Sequence, residues 1–429
     1  MPAGLLIAAP QSGSGKTTLT LALLRALTRA GIAVSSAKAG PDFIDPAFHA
    51  AASGKPCFNL DPWAMRPQLL MALAGSGSDL LVVEGMMGLY DGGADGKGSA
   101  ADLANLLGFP VILVVDASRQ SHSIAALVSG FRDFRNNIEF AGIVLNRVGS
   151  ARHDTMLRDA LAEIGMPVLA SIFKDESLNL PERHLGLVQA REHGDLDAYL
   201  DHAASLVEKA FDLDGLIELA KGHSGGSTVE RLAPLGQNIA IARDDAFAFL
   251  YPHLLQGWWE QGVELSFFSP LADEAPATGC DSVFLPGGYP ELHAGSLAAC
   301  SQFKEGLLSA ANRGAFVYGE CGGYMVLGEA LVDAAGDSHQ MAGLLPVTTS
   351  FKTRKLSLGY RLARVCSDLP FASTDTVLTG HEFHYSTIKS QQTDTPLFYA
   401  HDARGQDLGG CGLRLGNVAG SYLHIVDKR

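Results

Sequence analysis

The feature that most limits how this chain can fold lies within its first thirty residues. A short apolar run, Leu5-Leu6-Ile7-Ala8-Ala9, leads into Pro10-Gln11-Ser12-Gly13-Ser14-Gly15-Lys16-Thr17-Thr18 and on into Leu19-Thr20-Leu21-Ala22-Leu23-Leu24-Arg25-Ala26-Leu27. Buried strand, glycine-rich turn and amphipathic helix in that order predict a phosphate loop. Gly13 and Gly15 let backbone N–H groups close around phosphate oxygens at the positive end of the helix. Lys16 is placed to reach terminal phosphates and the Thr17 hydroxyl to ligate magnesium, with Ser12, Ser14 and Thr18 completing the nucleotide cradle. The strict pattern opens on a glycine, where this chain has Pro10.

The segments that follow keep a strand–helix rhythm. Gly31 stops the first helix, and Ile32-Ala33-Val34 opens a strand that ends in Lys38-Ala39-Gly40-Pro41-Asp42-Phe43-Ile44-Asp45-Pro46. Asp42 and Asp45 then sit at a strand's carboxyl end, where open α/β sheets place ligand chemistry. Capping of the helix that starts near Pro46 is the rival role, and it is strongest for Asp45. The buried run Asp79-Leu80-Leu81-Val82-Val83 ends on Glu84, a carboxylate able to share magnesium with Thr17. A flexible stretch, Gly85 to Gly93, comes next. Two more buried strands stop at Asp116 and at Asn146-Arg147-Val148. Asn146 is either a reader of a nucleotide base edge or a strand-ending turn residue. The alternation predicts a parallel, doubly wound α/β sheet. It ends near Pro181, where His184 reads as a packed loop residue.

Residues 200–236 read as a helical and Gly/Ser linker between a domain at 1–199 and another at 237–429, with Gly222-His223-Ser224-Gly225-Gly226-Ser227 as its most flexible part. A second α/β pattern starts at Asn238. Within it, Ala315-Phe316-Val317-Tyr318 runs into Gly319-Glu320-Cys321-Gly322-Gly323-Tyr324. Glycines around a cysteine between strand and helix make a nucleophile elbow. The helix N-terminus is expected to favour the thiolate, and the N–H groups of Gly322 and of the Gly287-Gly288 turn to stabilise an oxyanion. A base is required, and the candidates are His381, His384 and His424. His424, read as ending an apolar strand, is the natural partner; no orienting acid is singled out, since Asp427 lies three residues on and Glu382 could approach only through the fold. A basic cluster, Lys352, Arg354, Lys355 and Arg361, is either a grip on a substrate with several carboxylates or a solvated face.

Composition excludes several function classes. The formal net charge is −14, which leaves no basic stripe for nucleic acid. The six cysteines are scattered without a C-x-x-C pair, which suits free thiols in a reducing cytoplasm. No apolar run approaches a membrane span, and the strand that opens the chain leaves no room for a signal peptide. A soluble cytoplasmic protein is expected.

Six stretches in one order carry a family resemblance. They are Ala9–Thr18, Gly40–Pro46, Val83–Gly92, Pro286-Gly287-Gly288-Tyr289-Pro290-Glu291, Gly319–Tyr324 and Gly420-Ser421-Tyr422-Leu423-His424. Over nearly its full length the chain resembles the glutamine-dependent cobyrinic or hydrogenobyrinic acid a,c-diamide synthases of cobalamin biosynthesis. The resemblance implies an ATP-dependent amidoligase domain similar to dethiobiotin synthetase, fused to a class I-like glutamine amidotransferase domain. By that similarity Lys16 and Thr17 bind ATP and Mg2+. Asp42, Asp45 and Glu84 serve metal, ATP or substrate carboxylate, and Asn146 serves the adenine. Cys321 is the glutaminase nucleophile with His424 beside it. Class I relatives usually carry a glutamate two residues past that histidine; here the residue is Val426. The implied partners are L-glutamine and a corrinoid polycarboxylate, with a homodimer as a candidate assembly. Two rivals stand beside this reading: a nickel-sirohydrochlorin a,c-diamide synthase and a partitioning or regulatory ATPase.

Overall fold

In the computed structural model, residues 3–77, 80–178, 182–183, 186–187, 190, 194–222, 229–392 and 395–429 are described. His184 and residues 223–228 of the Gly/Ser cluster lie outside them. The chain divides into two compact units, residues 1–63 with 67–229, and residues 64–66 with 230–429.

The first unit is built on seven parallel strands: β1 (Ala3–Ala8), β2 (Val34–Ala39), β3 (Phe58–Leu60), β4 (Leu80–Glu84), β5 (Val111–Asp116), β6 (Phe140–Val148) and β7 (Val168–Phe173). Their spatial order is β3-β2-β4-β1-β5-β6-β7, and a two-residue strand at 221–222 runs antiparallel to β1. Because β1 sits between β4 and β5, the chain turns one way after β1 and the other way after β4. This switch point leaves a crevice at the carboxyl end of β1. β1, β4 and β5 are buried, largely apolar runs, as a sheet covered by helices on both sides requires. Helix α1 (Lys16–Arg29) starts at that crevice, directly after Gly15, whose φ of 88° is a left-handed conformation that a side chain would strain. Helix α2 (Asp45–Ser53) starts beside it.

The boundary differs from the one expected at residue 199. Helix α3 (Leu196–Ala210) buries Leu200, Ala203, Ala204 and Val207 in the same core as Leu23 and Leu27 of α1. Arg25 pairs with Asp201 at 2.8 Å and with Asp197 at 3.2 Å. The stretch read as the start of a linker therefore belongs to the first unit. Its polar composition reflects one exposed face and hid an apolar stripe.

Among the described residues the second unit has three sheets: a small four-stranded one (Ser338–Gln340, Ala330–Val332, Val347–Ser350 and Thr387–Gln391, in that order) and the two that carry the site. One contains β8 (Asn238–Ala242), β9 (Glu264–Phe268), β10 (Ser282–Leu285), β11 (Phe316–Glu320), β16 (Leu413–Leu415) and β17 (Val418–Ser421), in the order β9-β8-β10-β11-β17-β16. All its neighbours are parallel except β16 against β17. The other is antiparallel: β12 (Ser357–Val365), β13 (Val377–His384), β14 (Phe398–Asp402), β15 (Asp407–Cys411) and β18 (Leu423–Lys428), ordered β15-β14-β12-β13-β18. The chain changes sheets at Tyr422, so His424 does not end a strand. It is the second residue of β18, opposite His381 of β13.

Residues 64–66, drawn from between β3 and the helix at Pro67–Gly75, belong to this second unit. Thr379 donates to the Ala64 carbonyl, and Arg66 grips the buried Asp427 through its main-chain N–H, its Nε and its Nη2 at 2.9, 2.9 and 3.0 Å.

Candidate active sites

The first site forms where β1, β2 and β4 end. Register pairs Lys38 of β2 with Glu84 of β4, so two charged side chains close adjacent buried strands. Glu84 is fully buried and takes three donors: Thr17 Oγ1 at 2.6 Å, Lys38 Nζ at 2.8 Å and His49 Nε2 at 2.6 Å. Thr17 Oγ1 also lies 3.3 Å from Asp45 Oδ2, the oxygen that accepts Lys38 Nζ at 2.5 Å. Burial works against the Glu84 carboxylate, yet Lys38 and His49 outweigh it and hold its pKa far below the usual range. Burial likewise opposes charge on Lys38 and His49. The carboxylates of Asp45, Glu84 and Asp42 nonetheless raise Lys38, and Cys57 and Glu84 raise His49 to about 10. The cluster is a set of buried ions that neutralise one another.

The structure separates the two aspartates. Asp42 Oδ1 accepts the N–H groups of Ile44 at 2.8 Å and Asp45 at 3.1 Å, so Asp42 does the capping, and burial beside Asp45 raises its pKa to about 6. Asp45 instead turns toward Thr17 and Lys38. Asp42's expected contact with a substrate therefore gives way to a backbone role for one of its oxygens.

Lys16 Nζ donates to the Met87 carbonyl at 2.6 Å, and burial lowers it to about 8. Ser14 Oγ bonds the Gln11 carbonyl at 3.0 Å, holding the loop to itself. Gly13 has a φ of 78° with open space at its Cβ position. Ser12 is exposed, and Thr18 shares a side-chain hydrogen bond with Tyr199. Asn146 lies at the phosphate loop. Its Nδ2 donates to the Ser14 carbonyl at 2.9 Å and its Oδ1 accepts the Arg147 N–H, so the amide braces the phosphate loop from β6. A Cβ on Gly15 would lie 2.1 Å from that Nδ2, which is the close approach that requires glycine there.

The second site forms at the ends of β11 and β18. Cys321 sits between β11 and the short helix α4 (Gly322–Leu327) with φ 46° and ψ −103°, a strained turn of the kind that projects a nucleophile. Gly287 is the hinge of the arrangement. A Cβ on it would come 2.4 Å from His424 Cε1 and 3.3 Å from Cys321 Cβ, so Cys321, His424 and the 287–288 turn share one small space. The Cβ position of Gly322 is 3.1 Å from the Gly288 nitrogen. The three glycines expected at an oxyanion site are thus brought together with the cysteine and the histidine.

The expected thiolate is not met. Burial, and the charges of Glu291, Glu320 and Glu382, push the Cys321 thiol far above its ordinary value against a hydrogen bond from the Gly322 N–H. A six-residue helix is too short and too enclosed here to reverse that. His424 is pushed well below its usual pKa by burial and by His381 and His384, and its ring stacks on His381 at 4.8 Å. Both of the acids weighed beside it pair with an arginine. Asp427 is held by Arg66, and Glu382 pairs with Arg361 at 2.8 Å and with His384 at 2.8 Å. That pairing also corrects the reading of Arg361 as a substrate grip. Lys352 and Arg354 are exposed, and Arg354 lies where its charge is felt by Glu291 of the cysteine site.

The sequence matches two family models: the CobQ/CobB/MinD/ParA nucleotide binding domain over residues 5–188 and the CobB/CobQ-like glutamine amidotransferase domain over residues 238–429. A hydrogenobyrinate a,c-diamide synthase of Brucella abortus biovar 1 (strain 9-941) is 58% identical over 431 residues, covering 99% of this chain and 98% of the relative. Proteins of the same name from Rhizobium meliloti (strain 1021) and Mesorhizobium japonicum are 57% and 50% identical, each over 99% of this chain and over 99% and 98% of their own lengths. The chain belongs to the hydrogenobyrinate a,c-diamide synthase family.

As a member of that family it is a glutamine-dependent amide-forming ligase with a nucleotide-binding domain. The partitioning-ATPase alternative has no use for the amidotransferase domain that fills the second half. Among the described residues no helix is long and apolar enough to cross a membrane. Sequence reasoning passed over Lys38, His49 and Glu320 in this family member. Lys38 carried one signal, a lysine closing an otherwise small and apolar strand, and Glu320 another, a carboxylate in a buried strand directly before the nucleophile.

Proposed function

We propose that the chain converts the a and c side-chain carboxylates of hydrogenobyrinic acid to amides, using ATP and glutamine, as a cytoplasmic enzyme of cobalamin biosynthesis. The observation that carries this is the match at 58% identity across both units to a protein of that name. The two sites supply complementary chemistry for it.

At the first site the phosphate loop and Lys16 hold the nucleotide. The oxygen donors Thr17 Oγ1, Asp45 Oδ2 and Glu84 Oε1 converge within hydrogen-bonding distance of one another or of Lys38. This is a hard-cation donor set, and magnesium held there would offset the phosphate charge. Thr17, Asp45 and Glu84 would hold the cation together with oxygens of the bound nucleotide. A substrate carboxylate oxygen bonds the γ-phosphorus as the bridging P–O bond to ADP breaks, giving an acyl phosphate. The new leaving group is phosphate, where the free acid offered only oxide.

At the second site the thiol proton of Cys321 passes to His424 as sulfur bonds the amide carbon of glutamine. The oxyanion faces the N–H groups of Gly288 and Gly322. Collapse breaks the C–N bond, the proton leaves with ammonia, and water releases glutamate from the thioester. Ammonia then displaces phosphate from the acyl phosphate. Proton transfer to His424 accompanies attack.

The test is a synthesis assay with the full chain, ATP and glutamine, supplying hydrogenobyrinic and cobyrinic acids in parallel and resolving products by mass spectrometry. Diamide from hydrogenobyrinic acid is expected. Turnover of cobyrinic acid alone would refute the substrate assignment.

A further inference from the structure

Val426 stands at the position where class I relatives carry their glutamate, and Asp427 and Glu382 pair with Arg66 and Arg361. The fold brings another carboxylate to His424. Glu320 closes β11 one residue before Cys321 and is buried. Its Oε2 lies 3.9 Å from His424 Nδ1. Its Oε1 accepts the N–H of Ile425 at 3.2 Å, so the residue following His424 on β18 anchors the same carboxylate. Burial raises its carboxyl to about 8, against the Ile425 N–H and the nearby Tyr318 hydroxyl, which lower it.

From this geometry we infer that Glu320 is the positioning residue of the glutaminase site, orienting His424 through Nδ1 and stabilising the imidazolium that forms when the Cys321 thiol gives up its proton. The inference rests on the glutaminase reading above and adds the third member to its pair. It differs from the usual class I arrangement in the origin of the acid. There the carboxylate follows the histidine on the same strand; here it precedes the nucleophile on another strand and reaches across. With Nδ1 facing Glu320, Nε2 is the nitrogen that takes the thiol proton and returns it to the departing ammonia. The 3.9 Å separation is longer than a hydrogen bond. Apo sites commonly show such lengths and tighten when substrate is bound. The strand pairing of β11 with β17, one residue before the sheet change at Tyr422, keeps the two side chains within that reach.

Glu320→Gln keeps an oxygen for the Ile425 N–H and removes the charge, and Glu320→Asp keeps the charge on a shorter stem. Glutaminase kcat in Glu320→Gln is expected to fall about 100-fold or more while KM for glutamine changes less than about threefold, with ammonia-dependent synthesis at the wild-type rate. Glu320→Asp is expected to recover a measurable part of the lost kcat. Glutaminase turnover within twofold of wild type in Glu320→Gln would overturn the inference. So would a parallel loss of ammonia-dependent synthesis in both variants, which would make Glu320 a support of the fold alone. A wild-type enzyme without glutaminase activity would instead overturn the reading on which this rests.

Discussion

The first unit buries Lys38, His49 and Glu84 as ions, each held by an opposite charge within 2.8 Å, whereas the second buries His253, His381 and His424 as neutral rings among carbonyls and aromatic faces. Both sites stand at the carboxyl ends of parallel strands, so topology alone does not account for the contrast. Phosphoryl transfer develops charge on phosphate oxygens, and preformed ions can answer it without rearranging. Thiol attack needs an imidazole free to accept a proton, and burial beside two other histidines keeps it neutral until it does. A balanced charge cluster and a buried neutral imidazole are two ways of preparing a site, and each chemistry here stands in the setting that serves it.

The contrast can be broken most sharply by removing one chemistry at a time. Cys321→Ala should abolish glutamine-dependent synthesis, a loss of about a thousandfold or more, yet leave synthesis from ammonium salts. Lys16→Ala should do the reverse, stopping amidation with either nitrogen source while glutaminase activity persists. Loss of both activities in either variant would show that the sites are not separable. Next in size, Lys38→Met leaves Asp45 and Glu84 uncompensated and should cost about 3–5 kcal/mol of stability, read by thermal or denaturant unfolding. Millimolar magnesium should restore more stability to that variant than to wild type. Equal response to magnesium would mean that Lys38 does not share its oxygens with a cation. Gly287→Ala places a methyl against His424 and should lower glutaminase turnover about 100-fold, with ammonia-dependent synthesis intact.

The smallest effect separates the units by pH. His253 and His381 are lowered by burial to about 4 and about 3, so the unfolded chain binds protons that the folded chain refuses as pH falls below 6.5. Their contribution is lost on acidification. His49 is raised to about 10, so its contribution is whole below 6.5 and fades as pH rises through 10. Hydrogen exchange should therefore show residues 238–429 loosening first at pH 5 and residues 3–63 loosening first near pH 10, each by on the order of 1–2 kcal/mol. The same order of loosening at both extremes would refute the charge contrast.

What sequence could show about these sites follows a physical line. The phosphate loop and the Cys321 elbow are local objects whose backbone demands glycine at fixed offsets, so they were legible at once. The parallel rhythm of the first half was legible for the same reason, since each buried strand is a continuous apolar run. Partnerships were not. Lys38 meets Glu84 only because β2 lies beside β4 in that register, and Asp427 meets Arg66 across 361 residues of chain. The antiparallel sheet of the second unit was hidden because its strands are not continuous apolar runs: Ser357–Val365 mixes buried and exposed positions and carries Arg361 and Arg364. Asn146 was placed correctly at a strand end, but whether its amide faces a ligand or the Ser14 carbonyl is a matter of loop conformation.

Residues 64–66 have a consequence for the handling of this protein. A gene cut near residue 229 would yield a second half whose Asp427 had lost its Arg66, and a first half carrying three residues that fold elsewhere. The buried Asp427 carboxylate would then stand without its guanidinium partner, so neither half is a self-contained cassette.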